Sequence, residues 1–309
     1  MTGPTTAAAQ TAPAGVIHDL AYRRYEGRRT GAATRFLVIL RYAARVQFRQ
    51  RSVKLFLLMG LMFMGIAAVI LAFSMLPQML MADAIAEQGS RAQAQLQESI
   101  QGTPASVLRY VLTGQWLSTF LLVLVCGAPA VAADLNAGAF QFHFARPVSV
   151  GQYLAGRLLG AMVWPALLLY PALVIYSVMW LAFKGPPAQV ALLLAKGLLV
   201  VTLRLVTMAA VALGCSSLTR RRGLAQAMFA ALVVGTWMTA GLVSKVTDRP
   251  WISSLDVTGS THLLAGQIVK AVTFQGAAVA APALANAAWI GVFLAIAWWR
   301  LARAEVVRG

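Results

Sequence analysis

Six stretches of this chain are each long and apolar enough to cross a lipid bilayer, and nothing else in the sequence constrains the fold so tightly. A membrane helix needs ~20 mainly apolar residues to span the hydrocarbon core. The stretches lie near 55–76, 107–131, 157–183, 188–214, 224–243 and 278–299. They predict an all-α, polytopic membrane protein. Charged residues make up only 11% of the chain, against about 25% in a soluble domain, and hydrophobic ones 60%. The formal net charge of +17 would suggest nucleic-acid binding on a soluble chain. Here most of the chain is too apolar to offer a basic face, so no nucleic-acid partner is expected. The charge reads instead as loop charge that orients the spans. With six spans, both termini share a side, and 18 of the 26 Lys and Arg fall there against 6 on the other. The positive-inside rule then places both termini in the cytoplasm.

Residues 1–17 are Thr/Ala/Pro-rich and read as a disordered tail. They lack the basic start, short apolar run and cleavage site of a cleavable signal. Residues 18–54 form a basic region. Within it, Arg35 to Lys54 has helical periodicity, with Phe36, Leu37, Leu40, Ala44 and Phe48 as an apolar stripe and Arg41, Arg45 and Arg49 on another face. Such a helix is expected in the membrane interface, its arginines among lipid headgroups. Residues 55–309 form the membrane domain. In its third span, Trp164-Pro165 and Tyr170-Pro171 predict a kink or local unwinding. Lys184-Gly185-Pro186-Pro187 predicts a tight turn that makes the third and fourth spans an antiparallel hairpin. On the outer side, residues 77–106 read as a helical excursion suited to a periplasmic partner. Residues 244–277, with Trp251 and weak amphipathic spacing over 260–272, read as a segment dipping back into the outer interface.

Motifs for catalysis are missing. The sequence has no GxxxxGK[ST] phosphate loop, no GxSxG elbow and no HExxH. His18, His143 and His262 are scattered, the nine acidic residues form no close pair, and neither metal site nor cofactor is expected on this chain. Cys126 and Cys215 sit in apolar runs and read as small buried hydrophobes. Lys196 and Arg204 are exceptions inside the fourth span. A basic group at mid-bilayer costs at least ~2.5 kcal/mol, so both should face protein or water. They are candidates for a translocation path or for contact with an anion such as a lipid headgroup. Equally, Lys196 can snorkel and Arg204 can pair with buried carbonyls. Asp134, ending the second span, is the nearest acidic partner that the sequence offers.

The most informative segment follows that span. Asp134 ends a helix, Gly138 supplies a turn, and Phe140, Phe142 and Phe144 populate a short aromatic helix that Arg146-Pro147 breaks. Ser149 then caps the next span, with Gln152 as its capping-box partner. The order Asp134, Gly138-Ala139-Phe140, Pro147-Val148-Ser149-Val150, Tyr153-Leu154-Ala155-Gly156-Arg157 resembles the membrane subunits of ATP-binding-cassette (ABC) transporters of the type-2 permease family. That family shows an acidic residue, a Gly-Thr-Leu-like turn, a Pro-Val-Ser-Arg-like step and an Ile-Leu-Leu-Gly-Lys-like helix start. Asn136, Ala139 and Val150 depart from it, but order and spacing agree.

The resemblance implies a permease without its own ATPase site, in a bacterial inner membrane. It would pair with a second permease subunit, identical or different, and sit on a dimer of ABC ATPase subunits that carry ATP and magnesium. Helix 35–52 would be the N-terminal elbow. The loop bearing Asp134, Gly138, Phe140, Phe142, Phe144, Arg146 and Pro147 would be the cytoplasmic coupling helix, and the segment before the last span would be re-entrant. Export is the expected direction. A secondary transporter would instead show an internal repeat and acidic residues within spans, and neither is seen. A scaffold would look similar in composition.

Overall fold

The computed structural model describes residue 31 and residues 34–86, 106–139, 148–183, 186–270 and 276–306. Every regular element among them is helical. The elements are α1 (Arg35–Phe48), α2 (Arg51–Ala86), α3 (106–114), α4 (Trp116–Cys126), α5 (Ala130–Asn136), α6 (Val150–Ala182), α7 (Pro187–Ser217), α8 (Arg222–Val246), a 3-10 turn (Pro250–Leu255), α9 (Gly259–Lys270) and α10 (Gly276–Val306). Six are long and apolar enough to cross a membrane: Arg51–Ser74, Trp116–Asn136, Val150–Ala182, Pro187–Ser217, Arg222–Val246 and Ala280–Arg303. The fold is consistent with a multi-pass membrane protein, and five of the six spans lie close to where the hydropathy placed them.

The central span is α7, 72% of whose apolar window is buried, against 17% for α2 and α8. Small residues make this possible. A Cβ on Gly197 would meet Leu173 of α6 at 2.6 Å, and one on Gly214 would meet Phe293 of α10 at 2.4 Å. Small residues at such crossings let membrane helices approach closely and gain dispersion contacts. α6 and α7 run antiparallel as the Lys184–Pro187 turn predicted, with Tyr170 and Thr202 hydroxyls 2.9 Å apart across the hairpin. At one end of the bundle, α1, α5, the start of α6 and the ends of α7 and α10 meet around Ile39, Val131, Tyr153, Leu213, Ala297 and Leu301. Arg220, Arg221 and Arg222 lie in the connection at that end, which we call the basic end.

Three elements differ from the sequence expectation. The second span is not continuous over 107–131. It breaks first at Gln115, which is fully buried. Its Nε2 donates to the Gly60 carbonyl at 3.0 Å, and its Oε1 accepts from Ser118 at 2.9 Å. It breaks again at Gly127-Ala128-Pro129, where proline lacks the N–H a helix needs. The N–H groups of Val131 and Ala132, orphaned at the start of α5, both donate to the Ser216 hydroxyl on α7. By contrast, α6 runs unbroken through Pro165 and Pro171, so the expected local unwinding does not occur. Leu168, Leu169, Ala172 and Leu173, between and after the prolines, are fully buried and hold the helix on course.

α1 presents a different face from the one expected. Ile39, Ala43 and Gln47 are buried, whereas Leu37 and Phe48 are exposed. The reason lies on α6. A Cβ on Gly156 would meet Ile39 at 2.8 Å, Gly160 meets Ala43 at 3.0 Å, and Phe48 stacks on Trp164 with centroids 5.0 Å apart. Three contacts stepping the same way along both helices make α1 a lengthwise partner of α6, where a helix lying across it would meet it over one turn.

Candidate functional site

Two buried arginines define two places of interest. The first is at the basic end. α5 ends in a Schellman turn: Gly138 adopts φ +62°, and the Ala139 N–H donates to the Asp134 carbonyl at 3.0 Å. Re-entry into the bundle uses the expected capping box, with Ser149 Oγ accepting from the Gln152 N–H and Gln152 Oε1 accepting from the Ser149 N–H, both at 3.3 Å. On either side of these two turns the helices are tied to each other. Asp134 Oδ2 accepts from Arg157 Nη2 and from Tyr153 Oη. The guanidinium also lies over the Tyr153 ring, 5.6 Å from its centroid. Asp134 and Arg157 are largely buried, and theirs is the one ion pair found among the described residues. Helices on either side of the loop are thus tied together at its base. Phe140, Phe142, Phe144, Arg146 and Pro147, and also His143 and His18, lie outside the described residues.

The second place lies in the half away from the basic end. After α8 the chain folds back on itself. Thr236, ten residues before the end of α8, donates to Asp256 Oδ1 at 3.1 Å, and Trp289 of α10 donates to the Leu255 carbonyl at 3.2 Å. Residues 250–258 therefore reach back along both helices before α9 returns. Asp256 caps α9: its Oδ2 accepts from the Gly259 N–H and the Thr258 hydroxyl, each at 2.7 Å. Next to it, Asn286 donates to Ser260 at 2.9 Å and accepts from Thr207. Arg204 enters this network from α7. It is only 1% exposed, and its Nη1 donates to Thr261 at 3.2 Å while Nε and Nη2 have no partner. Its charge and burial push the His262 imidazole down to about 3, burial being the larger cause, so His262 is neutral.

Arg204 consequently faces the fold-back segment and not an open path. Asp134 is not its partner, because Asp134 serves Arg157 at the other end of the bundle. The acidic residue near Arg204 is Asp256. Sequence reasoning missed this because Asp256 lies outside every span and comes to Arg204 only through the fold-back. Lys196 is half-buried, two turns from Arg204 along α7, or about 12 Å of axial rise. Cys126 and Cys215 are buried free thiols, as expected of packing residues. Among the described residues, no three His, Cys, Asp or Glu side chains converge as a metal site would require.

A scan against protein-family models and a search of curated proteins each returned no match.

Proposed function

We propose that the chain is the membrane-spanning permease subunit of an ABC transporter of the type-2 kind, moving its cargo outward on ATP hydrolysed by a separate subunit. One observation carries this reading. The two flanks of the loop with the family-like residue order are fixed: a Schellman turn at Gly138, a capping box at Ser149, and Asp134 tied to Arg157 and Tyr153 across its base. A force applied at Phe140–Phe144 would pass through that tie into α5 and α6 together. Gly156, beside the tie, extends the same contact to α1, which takes the place of an N-terminal elbow.

In this reading the basic end is cytoplasmic, in the inner membrane of a bacterium, and both chain termini lie there. A dimer of ATPase subunits, holding ATP and magnesium, seats the aromatic loop. Closure of that dimer biases one of two arrangements of the spans, which move as rigid bodies. The sparsely buried outer faces of α2 and α8 offer surface to lipid and to a second permease subunit. The fold-back segment 250–270 acts as the re-entrant element, and Arg204 holds it in place from beneath.

The test is affinity purification of the tagged chain in mild detergent, with mass spectrometry and an ATPase assay. A stoichiometric ATPase is expected, lost when Phe140, Phe142 and Phe144 are all replaced by Ser. A clean preparation with no ATPase and no hydrolysis would overturn the reading in favour of a secondary transporter or a scaffold.

A further inference from the structure

A cavity of about 330 Å³ opens between the start of α4, the outer half of α8 and the fold-back segment. Its walls are the indoles of Trp116 and Trp237, whose ring centroids are 5.9 Å apart and whose planes are tilted by 35°. Trp116 is held from behind by Phe120, stacked at 5.6 Å. Trp237 is 53% exposed, so a large part of its surface is open to a ligand. The lining is mostly apolar, and its polar atoms come from Ser253, Asp256, Thr258, His262 and Thr113.

The chemistry of these polar groups decides what can bind. Asp256 already accepts three hydrogen bonds, from Thr236, Thr258 and the Gly259 N–H, and it lies near Arg204. With those three hydrogen bonds Asp256 has little left to offer a cation. Among the described residues no Lys or Arg lines the cavity, so none of them neutralises an anion there. What is free is the neutral His262 ring, one donor and one acceptor nitrogen with no hydrogen-bond partner, and the Thr113 hydroxyl. The tilted indoles are too close to sandwich a flat ring, but they form an angled apolar wall. An uncharged ring with C–H groups on one face and hydroxyls around its edge satisfies all of these. We infer that this pocket binds a neutral, hydroxylated ring of one sugar residue, its C–H face against Trp116 and Trp237 and its hydroxyls on His262 and Thr113. The volume is at the lower end of ligand cavities, ~300–1,000 Å³, and so suits one ring and not a chain.

The inference does not depend on an ATPase partner, and it is tested without one. The full chain is placed in nanodiscs of phosphatidylethanolamine and phosphatidylglycerol, which bring neither a sugar nor a choline group. Methyl glucoside, N-acetylglucosamine, tetramethylammonium and inorganic phosphate are titrated separately by calorimetry and tryptophan fluorescence. Saturable binding of at least one sugar is expected, with Kd about 1 mM for so small a ligand. Trp237→Ala should weaken it about tenfold, and His262→Ala should weaken it measurably, while neither changes the thermal unfolding midpoint enough to suggest loss of fold. Trp298→Ala, at the basic end, should leave it unchanged. No saturable sugar binding up to about 100 mM would overturn the proposal. So would sugar binding indifferent to both Trp237→Ala and His262→Ala. Tetramethylammonium binding that Asp256→Asn abolishes would make this a cation site instead.

Discussion

The two ends of the bundle each bury an arginine near an aspartate, yet they treat the charges differently. At the basic end Arg157 and Asp134 meet directly, with Tyr153 sharing the same carboxylate oxygen. In the other half, Arg204 and Asp256 form no direct pair: the aspartate is spent on capping α9 and the guanidinium reaches one hydroxyl. The direct pair is local, joining residues on either side of one loop. The dispersed pair is assembled from α7, α8 and a segment that returns between helices. A direct pair makes each charge depend on the other. A dispersed one leaves the carboxylate satisfied by groups that would remain if the arginine were removed.

This difference ranks the effects of mutation. Arg157→Ala strands Asp134 in a largely buried site and should cost ~3–5 kcal/mol, the range for breaking a buried pair from one side. Thermal unfolding of the purified chain should show a large drop in midpoint. Gly138→Ala comes next. Its αL conformation carries a penalty of ~1–2 kcal/mol for a residue with a Cβ, so the same assay should register a smaller fall. Arg204→Met should cost about 1 kcal/mol or less. The buried guanidinium makes one hydrogen bond and leaves two nitrogens without a partner, so an apolar side chain of similar length gives up little there, and Asp256 keeps its three donors. If Arg204→Met proved as damaging as Arg157→Ala, the contrast between the two ends would collapse.

A further effect concerns pH. The folded-state pKa of His262 lies below the unfolded value of ~6.5, so unfolding takes up a proton wherever the pH lies between them. Stability from this residue is complete above ~6.5 and falls as the pH drops towards about 3. Unfolding midpoints measured from pH 7.5 down to 5 should decline, and His262→Gln should decline less. Equal slopes would mean that His262 is not shielded as described.

The sequence made the spans legible because apolar length is a local property, and the Ser149–Gln152 capping box because its partners are three residues apart. Gly138 was legible for the same reason. Contacts set by tertiary approach were not. Nothing local to Gln115 indicates that its amide reaches a carbonyl on α2, so the break in the second span was invisible. The buried face of α1 depends on where Gly156 and Gly160 open room on α6, and the apolar pattern of α1 alone pointed to a neighbouring face. Pro165 and Pro171 predicted a kink or local unwinding by local rules; the helix stays continuous through both, with Leu168, Leu169, Ala172 and Leu173 buried around them. Asp134 and Arg157 were both in the family-like motif, but their mutual contact needed the loop to close.

The central claim, that the segment after the second span receives an ATPase, is tested most directly by photo-crosslinking in living cells. A photoreactive residue placed at position 142 should form a crosslink to an ABC ATPase subunit, and the same group at position 238, on the exposed half of α8 away from the basic end, should not. Crosslinks from position 142 to lipid alone, or to no protein of that class, would contradict the account.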